Sequence, residues 1–273
     1  MTLRRRAAVL GKPIAHSLSP VIHTAGYAAA GLTGWSYTRI ECAAAELPDL
    51  VAGLGPEWAG LSVTMPGKEA ALAVADTASP VAAAVGAANT LVRRPDGSWY
   101  ADNTDVAGMV HVLDEAGVVP GAAVTVLGAG GTARAALAAA AQLDCSSVTV
   151  VARRAEAIDD LRPVAAAVGV TLGAGAWADA SEHLAADVVV STVPKGVADP
   201  LAGDARWRPD AVFFDALYDR WPTPLASSAL AAGLRVVSGL DLLLAQAAGQ
   251  FEQFTGVRAP VEAMRAALDR HLP

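Results

Sequence analysis

Short polar motifs in the first half of the chain carry side chains that could bind and process a small polar ligand. Lys68 follows a short apolar run that predicts a buried strand, and Asp105 lies at the start of a predicted helix. Each charge could instead be a helix cap or an exposed surface group. Asn89 adds an amide at the start of another predicted strand. One apolar-walled pocket could therefore collect all three side chains.

Two serines precede the first predicted helix and add hydroxyl groups to this set. Ser19 is predicted to be the N-cap and Pro20 the first helical residue, because these residue types favour those positions. Ser17 has no such role, and together the two hydroxyls could bind a polyol or a carboxylate. For His16 and His23 we expect packing or solvent exposure rather than chemistry.

A glycine-rich turn follows a β-branched run at residues 124–127 and opens an alanine-rich helix. The turn consists of Gly128, Ala129, Gly130, Gly131, Thr132 and Ala133. A turn that merely connects a strand to a helix is the alternative, but this context matches the G-x-G-x-x-G/A dinucleotide fingerprint. Gly128 permits the tight turn, Gly130 lets the backbone approach a pyrophosphate, and Ala133 allows helix and strand to pack closely. Amides at the helix N-terminus supply the anion site.

The end of the next predicted strand indicates which nicotinamide cofactor is bound. An acidic residue there would bond the ribose 2′-hydroxyl and repel a 2′-phosphate. This chain has Ala152, Arg153 and Arg154 instead. Guanidinium groups offer planar, bidentate donors to phosphate, so the sequence predicts NADP. The alternative is that both arginines are solvated surface charges.

The order of the predicted elements indicates an α/β fold. From residue 123 onward, apolar strands alternate with helical segments, which predicts parallel strands joined by crossover helices. Residues 95–98 form a predicted turn between two antiparallel strands, and the helical tail is expected to pack back on the first domain. We predict an N-terminal α/β substrate-binding and catalytic domain (residues 1–104 with 240–273), a C-terminal Rossmann-type NADP-binding domain (residues 105–239), and a ligand cleft between them.

The composition excludes several classes of protein. Of 273 residues, 53% are hydrophobic and 17% charged, which is sufficient for a sizeable core. A net charge of −7 argues against a nucleic-acid binder. No run of about twenty apolar residues predicts a membrane span. Cys42 and Cys145 lack metal-ligand spacing, so we expect reduced thiols, no metal and a cytoplasmic location.

The motifs taken together resemble those of the shikimate dehydrogenase family, in the same order and over nearly the whole chain. They are Gly11–His23, Ser62–Lys68, Gly86–Thr90, Asp102–Asp105, Gly128–Ala133, Asp215–Tyr218, Thr223–Leu225, Ser238–Asp241 and Gln246. The resemblance implies NADPH-dependent, reversible reduction of 3-dehydroshikimate to shikimate in the chorismate pathway of aromatic amino acid biosynthesis. A homodimer is possible.

The same resemblance implies roles for individual residues. Lys68 and Asp105 are the implied catalytic pair, and a lysine near the carbonyl suits this reaction because the new alkoxide needs a proton. The implied substrate-binding residues are Ser17, Ser19, Thr64, Lys68, Asn89, Asp105, Tyr218 and Gln246. The implied cofactor-binding residues are Gly128, Ala129, Gly130, Gly131, Thr132, Ala133, Arg153, Arg154 and Gly239, with Arg153 as the main ligand of the 2′-phosphate.

Several positions depart from the family pattern. Gly67 stands where a bulky residue commonly precedes the lysine, and Ala101 and Val106 stand where glycines are common. One alternative is a family member that acts on quinate or an amino analogue, since discrimination depends on one substituent. Another is a cofactor-binding sensor that has lost turnover. Retention of Lys68 and Asp105 argues against the sensor.

Overall fold

A computed structural model of the protein describes residues 4–219 and 221–271, and the α/β class predicted from the sequence is confirmed. The strands are β1 (Arg5–Gly11), β2 (Trp35–Glu41), β3 (Trp58–Val63), β4 (Thr77–Ala78), β5 (Thr90–Arg93), β6 (Trp99–Asp102), β7 (Ala123–Leu127), β8 (Ser147–Ala152), β9 (Leu172–Ala176), β10 (Val188–Ser191), β11 (Val212–Asp215) and β12 (Arg235–Ser238). The α-helices are α1 (Ser19–Ala29), α2 (Leu47–Ala52), α3 (Lys68–Val74), α4 (Pro80–Val85), α5 (Thr104–Glu115), α6 (Gly131–Gln142), α7 (Ala155–Asp159), α8 (Arg162–Val168), α9 (Pro224–Ala231), α10 (Gly239–Thr255) and α11 (Val261–Asp269).

The described residues form two compact units. The first contains the chain up to Asp105 together with the chain from Leu243 onward, and the second is Val106–Leu242. The first unit therefore takes most of α10 and all of α11 from the C-terminal end of the chain.

The sheet of the first unit has the strand order β2-β1-β3-β5-β6-β4. Strand β1 pairs in parallel with β2 and β3, whereas β5 and β6 form the antiparallel hairpin expected around residues 95–98. At the tip of that hairpin, Asp96 Oδ1 accepts hydrogen bonds from Ser98 N and Ser98 Oγ. Leu10, Leu61 and Leu91 form the centre of its core and are fully buried. The carboxyl ends of β1 and β3 thereby lie side by side, which positions the polar motifs that follow them.

The sheet of the second unit is parallel throughout, with the order β12-β11-β10-β7-β8-β9. This is the doubly wound order, in which ligands bind beyond the carboxyl ends of the strands where the order reverses. The reversal lies between β7 and β10. Strands β10 and β11 are buried at every position, as expected for strands covered on both faces. The glycine turn therefore emerges from the strand at the switch point.

Short elements with weak sequence signals were not predicted. Helices α3 and α4 have seven and six residues, and β4 has two. Strand β9 has the sequence LGAGA, which lacks the β-branched and aromatic residues typical of strands. Tertiary pairing with β8 determines its conformation instead.

The prediction that Ser19 caps the first helix is wrong. Helix α1 begins at Ser19 itself, the preceding position is Leu18, and that end has no side-chain cap. The Ser19 hydroxyl instead accepts a hydrogen bond from Ser17 Oγ, 3.2 Å away. The two hydroxyls therefore bond to each other and do not cap the helix.

Membrane-spanning helices and metal clusters are both absent from the described residues. None of their helices is long and apolar enough to cross a membrane. In the same part of the chain, no group of three or more His, Cys, Asp or Glu side chains is arranged to hold a metal ion.

Candidate active site

An ion pair joins the two predicted catalytic residues in the first unit. Lys68 is the first residue of α3 and Asp105 the second residue of α5. Lys68 Nζ lies 2.6 Å from Asp105 Oδ2, and the side chains are only 18% and 12% exposed. Such shielding distinguishes this pair from surface ion pairs, which solvent and salt weaken. The structure thus brings together two charges that are 37 residues apart in sequence.

The loop before Lys68 is held closely against the end of β1. A Cβ at Gly11 would lie 2.5 Å from Thr64 Cγ2, so glycine is needed where the two segments meet. Lys12 N donates a hydrogen bond to Met65 O at 3.1 Å. Thr64 is consequently fixed on the same edge of the sheet as Lys68.

The glycine that precedes the lysine has a packing explanation. A Cβ at Gly67 would lie 2.9 Å from Val63 Cγ1 and 3.3 Å from Leu47 Cδ1. These neighbours occupy the space that a larger side chain would need. In this protein, Val63 and Leu47 therefore fill the space that the bulky residue of the family pattern would need at position 67.

Ser17 and Ser19 form a small cluster of hydroxyls with a cation beside it. Ser17 Oγ is 3.2 Å from Ser19 Oγ and also accepts a hydrogen bond from Ser19 N at 3.3 Å. Arg39 on β2 donates to Ser17 O through Nε at 2.9 Å and through Nη2. Hydroxyl donors next to a fixed guanidinium suit a carboxylate ligand.

Asn89 is fixed next to Asp105 by bonds to its side-chain oxygen. Asn89 Oδ1 accepts from Thr104 N at 2.8 Å, from Thr104 Oγ1 at 3.1 Å and from Thr90 Oγ1 at 2.7 Å. Thr104 immediately precedes Asp105 in α5. Asn89 and Lys68 therefore both contact the first turn of α5, through Thr104 and Asp105 respectively.

Gln250 is hydrogen-bonded to the group around Asn89, whereas the hydrogen bond of Gln246 stays within its own helix. Gln246 Nε2 donates to Leu243 O, within its own helix, at 2.8 Å. One turn later, Gln250 Oε1 accepts from Ser62 Oγ at 2.6 Å, and Gln250 Nε2 donates towards Thr90 Oγ1 at 3.1 Å. The structure does not join Gln246 by hydrogen bonds to the other predicted substrate-binding residues.

Arg39, Gln250 and Tyr37 were not predicted from the sequence. Tyr37 on β2 is buried, and its hydroxyl donates to Ser62 Oγ at 2.6 Å. A signal for Gln250 was present, because residues four apart on a helix share a face and Gln246 was already a candidate. Tyr37 had no such signal, since its hydroxyl meets Ser62 only when β1, β2 and β3 have paired.

His23 packs in the interior, as expected from the sequence. Its ring stacks on Tyr37 with a centroid distance of 4.1 Å and an interplanar angle of 4°. Burial lowers the pKa of His23 to about 3, with partial opposition from Gln250. The imidazole is therefore neutral at physiological pH and acts as a packing group.

The second unit contains the glycine turn, directly after β7. Gly128 has φ of +103°, and a Cβ there would lie 2.6 Å from Thr192 Oγ1. At Gly130 a Cβ would meet no atom within 4 Å, which leaves open space above the turn. Arg134 N donates to Gly130 O, so the amides before it lie at the free N-terminal end of α6. These amides and this open space fit the pyrophosphate of a dinucleotide.

The remaining predicted residues of the second unit follow β8, β11 and β12. Arg153 and Arg154 come directly after β8, and both are exposed. Tyr218 follows β11 and is partly buried, which raises the pKa of its hydroxyl. Gly239 opens α10, and a Cβ there would lie 2.1 Å from Ala216 O, so no larger residue fits.

The segment that carries Tyr218 is anchored by Asp215. Asp215 Oδ1 accepts from Leu217 N at 3.1 Å, and Asp215 Oδ2 accepts from Thr223 Oγ1 at 2.8 Å. Burial raises the pKa of the Asp215 carboxyl, and the Thr223 hydroxyl opposes this rise. The carboxyl thus closes the loop between β11 and α9.

Comparisons with known proteins give a consistent result. Residues 9–91 match the family model described as "Shikimate dehydrogenase substrate binding domain", and residues 239–268 match "Shikimate 5'-dehydrogenase C-terminal domain". A Methylobacterium radiotolerans protein named shikimate dehydrogenase (NADP(+)) is 41% identical over 266 residues, covering 94% of this chain and 93% of that protein.

Solved structures agree with the sequence comparisons. The shikimate dehydrogenase of Mycobacterium tuberculosis has 51% identity and a TM-score of 0.88, covering 98% of this chain and all of that one. The shikimate 5-dehydrogenase of Thermus thermophilus, solved in complex with NADP(H) and shikimate, has 32% identity and a TM-score of 0.85, with 98% and 100% coverage.

Proposed function

We propose that this chain, which belongs to the shikimate dehydrogenase family, catalyses the reversible NADPH-dependent reduction of 3-dehydroshikimate to shikimate. The observation that carries the proposal is the shielded ion pair between Lys68 and Asp105. The match to the Methylobacterium radiotolerans protein covers over nine-tenths of each chain, which supports the proposal. The reaction belongs to the chorismate pathway of aromatic amino acid biosynthesis.

Lys68 is the proposed proton donor. NADPH supplies a hydride to the ketone carbon when it is bound. The carbonyl oxygen then carries a developing negative charge, which the Lys68 ammonium stabilises and protonates. Asp105 holds the ammonium in place through the 2.6 Å contact and accepts a bond from a neighbouring substrate hydroxyl. In the direction of oxidation, Lys68 in its neutral amine form receives that proton.

The remaining polar side chains of the first unit bind the rest of the substrate. Ser17 and Ser19 take the carboxylate, with the Arg39 charge beside them. Thr64, Asn89 and Gln246 bind hydroxyls or the carboxylate. Gln246 Nε2 bonds Leu243 O in the described structure, and the second N–H of Gln246 or its Oε1 binds substrate. Tyr218 is a further proposed substrate contact.

The glycine turn and the arginines after β8 hold the proposed cofactor. Amides of residues 129–133 bind the pyrophosphate, and the open space at Gly130 lets it approach. Arg153 is the main partner of the 2′-phosphate, with Arg154 beside it, and Gly239 lines the nicotinamide region. The exposure of both arginines leaves their guanidinium groups available to a ligand.

Quinate or an amino analogue is the alternative substrate, because discrimination from shikimate depends on only one substituent. A cofactor-binding sensor without turnover is disfavoured by the retained ion pair. We also propose that the protein acts in the cytoplasm, where a biosynthetic reductase meets NADPH. The homodimer stays a prediction.

Initial rates test the function directly. Purified protein is assayed with shikimate and with quinate, each with NADP and with NAD. We expect the highest kcat/KM for shikimate with NADP. Faster oxidation of quinate would identify the alternative substrate, and NADP binding without oxidation of either would favour the sensor.

A further inference from the structure

The buried tyrosine of β2 is connected to the proposed substrate-binding amide by a continuous chain of hydrogen bonds. We propose that Tyr37 is a positioning residue, which reinforces the orientation of the Asn89 side chain in which its NH₂ group faces substrate. This inference rests on the proposed function for its ligand, a polyhydroxy acid. The chain runs from Tyr37 through Ser62, Gln250 and Thr90 to Asn89.

Backbone groups determine the direction of the bonds at Asn89. Thr104 N can only donate, and it lies 2.8 Å from Asn89 Oδ1. A flipped amide would place two donors against each other at this position. The Asn89 oxygen therefore faces α5, and the Thr90 hydroxyl donates its proton to the same oxygen at 2.7 Å.

A second backbone group determines the direction at Gln250. Asn89 O can only accept, and it lies 3.1 Å from Gln250 Nε2. Gln250 Oε1 must then face Ser62, whose hydroxyl donates its single proton to it at 2.6 Å. Because that proton is used, the 2.6 Å contact between Tyr37 and Ser62 can form only with Tyr37 as donor.

Every donor in this chain therefore points from β2 towards Asn89. The accepting capacity of Asn89 Oδ1 is filled by Thr90 and Thr104, and none of the hydrogen bonds of the described residues uses Asn89 Nδ2. The two N–H groups of Asn89 can therefore donate to a ligand oxygen. Loss of the Tyr37 hydroxyl leaves the buried Ser62 oxygen without its donor, which weakens the Ser62–Gln250 hydrogen bond and, through it, the hold on Asn89.

The protein offers a matched control in the same aromatic cluster. Tyr27 is also buried, and its ring lies 6.1 Å from that of His23, whereas Tyr37 stacks on the same imidazole. Unlike Tyr37, the Tyr27 hydroxyl has no hydrogen-bond partner among the described residues. Tyr27→Phe and Tyr37→Phe each remove a hydroxyl oxygen from similar buried surroundings. Of the two, Tyr37→Phe interrupts the series of hydrogen bonds that leads to Asn89.

The test compares KM and kcat for shikimate, the Kd for NADP, and the melting temperature of wild type, Tyr37→Phe, Tyr27→Phe and Gln250→Met. We expect Tyr37→Phe to lower kcat/KM about five- to tenfold, the effect of one hydrogen bond. The loss should appear mainly in KM, with the NADP Kd unchanged and Tyr27→Phe close to wild type. Because both residues act through one chain, the double variant with Gln250→Met should lose less than the product of the two single losses.

Equal kinetics for the two tyrosine variants, or additive losses in the double variant, would overturn the inference. Failure of wild type to oxidise shikimate would instead overturn the proposed function. The NMR signals of the Asn89 side-chain NH₂ group then test the inference without turnover. Tyr37→Phe should shift or broaden them and Tyr27→Phe should not, and unchanged signals in both variants would contradict it.

Discussion

Lys68 Nζ contacts Asp105 Oδ2 at 2.6 Å, and each residue lies in the first turn of a separate helix. A carboxylate is favourable at a helix N-terminus, but a lysine there is opposed by the helix dipole. Asp105 compensates for this unfavourable placement of Lys68. The lysine is therefore in a position that helix stability alone would not select, which supports a catalytic role.

Removing the charge of Asp105 tests its part in the reaction. Asp105→Asn preserves the shape of the side chain but releases the Lys68 ammonium. We expect kcat for shikimate oxidation to fall at least about tenfold, because the proton-transferring group is no longer held in place. The control is Asp159→Asn, which breaks an exposed ion pair with Arg162. Equal kcat values in both variants would remove Asp105 from the mechanism.

Arg39 is expected to contribute to binding of the substrate carboxylate. Its guanidinium holds Ser17 O and adds positive charge beside the two serines. We expect Arg39→Ala to raise KM for shikimate several-fold, about 1 kcal/mol, with a smaller change in kcat. The matched variant is Arg5→Ala, since Arg5 is another arginine that donates to a backbone carbonyl, that of Pro56. A KM no higher than that of Arg5→Ala would argue against the role.

Cofactor preference is expected to depend on Arg153. Arg153→Ala should lower kcat/KM for NADP about tenfold and leave kcat/KM for NAD nearly unchanged, because only NADP carries the 2′-phosphate. Steady-state rates with each cofactor at saturating shikimate measure this. Arg162→Ala removes another arginine of the second unit and serves as the control. If Arg153→Ala keeps the wild-type ratio, the 2′-phosphate is bound elsewhere.

Protein stability should decrease in mild acid because of His23. Burial lowers its pKa from 6.5 to about 3, so between these values the unfolded chain binds a proton that the folded protein does not. The free energy of unfolding therefore falls as the pH drops below 6.5, by up to about 2 kcal/mol at pH 5 from this residue. Urea titrations at pH 7 and pH 5 measure the loss.

The variant His23→Phe cannot bind the proton and should lose less stability than wild type over the same interval. His111→Phe provides the comparison, because His111 is exposed and pairs with Glu115. If wild type and both variants have the same pH dependence, His23 does not cause it.

The fold was predictable where local signals agreed with tertiary structure. The glycine turn, the β-branched strand before it and the alanine-rich helix after it together indicated the order of β7 and α6. Strand β9 was not predictable, because glycine and alanine disfavour strands and only pairing with β8 selects that conformation. Ser19 was misassigned as a cap because its contact with Ser17 depends on how the loop folds.

The candidate site was predictable for the residues that stand in motifs and not for those that support them. Lys68 and Asp105 were recognisable by motif, and the structure shows that they meet. Tyr37 lies in a strand without a motif, and its role depends on the pairing of β2 with β1 and on a helix near the other end of the chain. Such contacts between distant segments have no local sequence pattern.

The most direct test of the proposed function is the kcat for shikimate oxidation with saturating NADP in wild type and in Lys68→Met. Both proteins are first shown to have the same NADP Kd and the same melting temperature within error. We expect turnover in wild type and a loss of at least about a hundredfold in the variant, the scale of general acid–base catalysis. A variant that retains the wild-type kcat would contradict the assignment of the proton donor to Lys68.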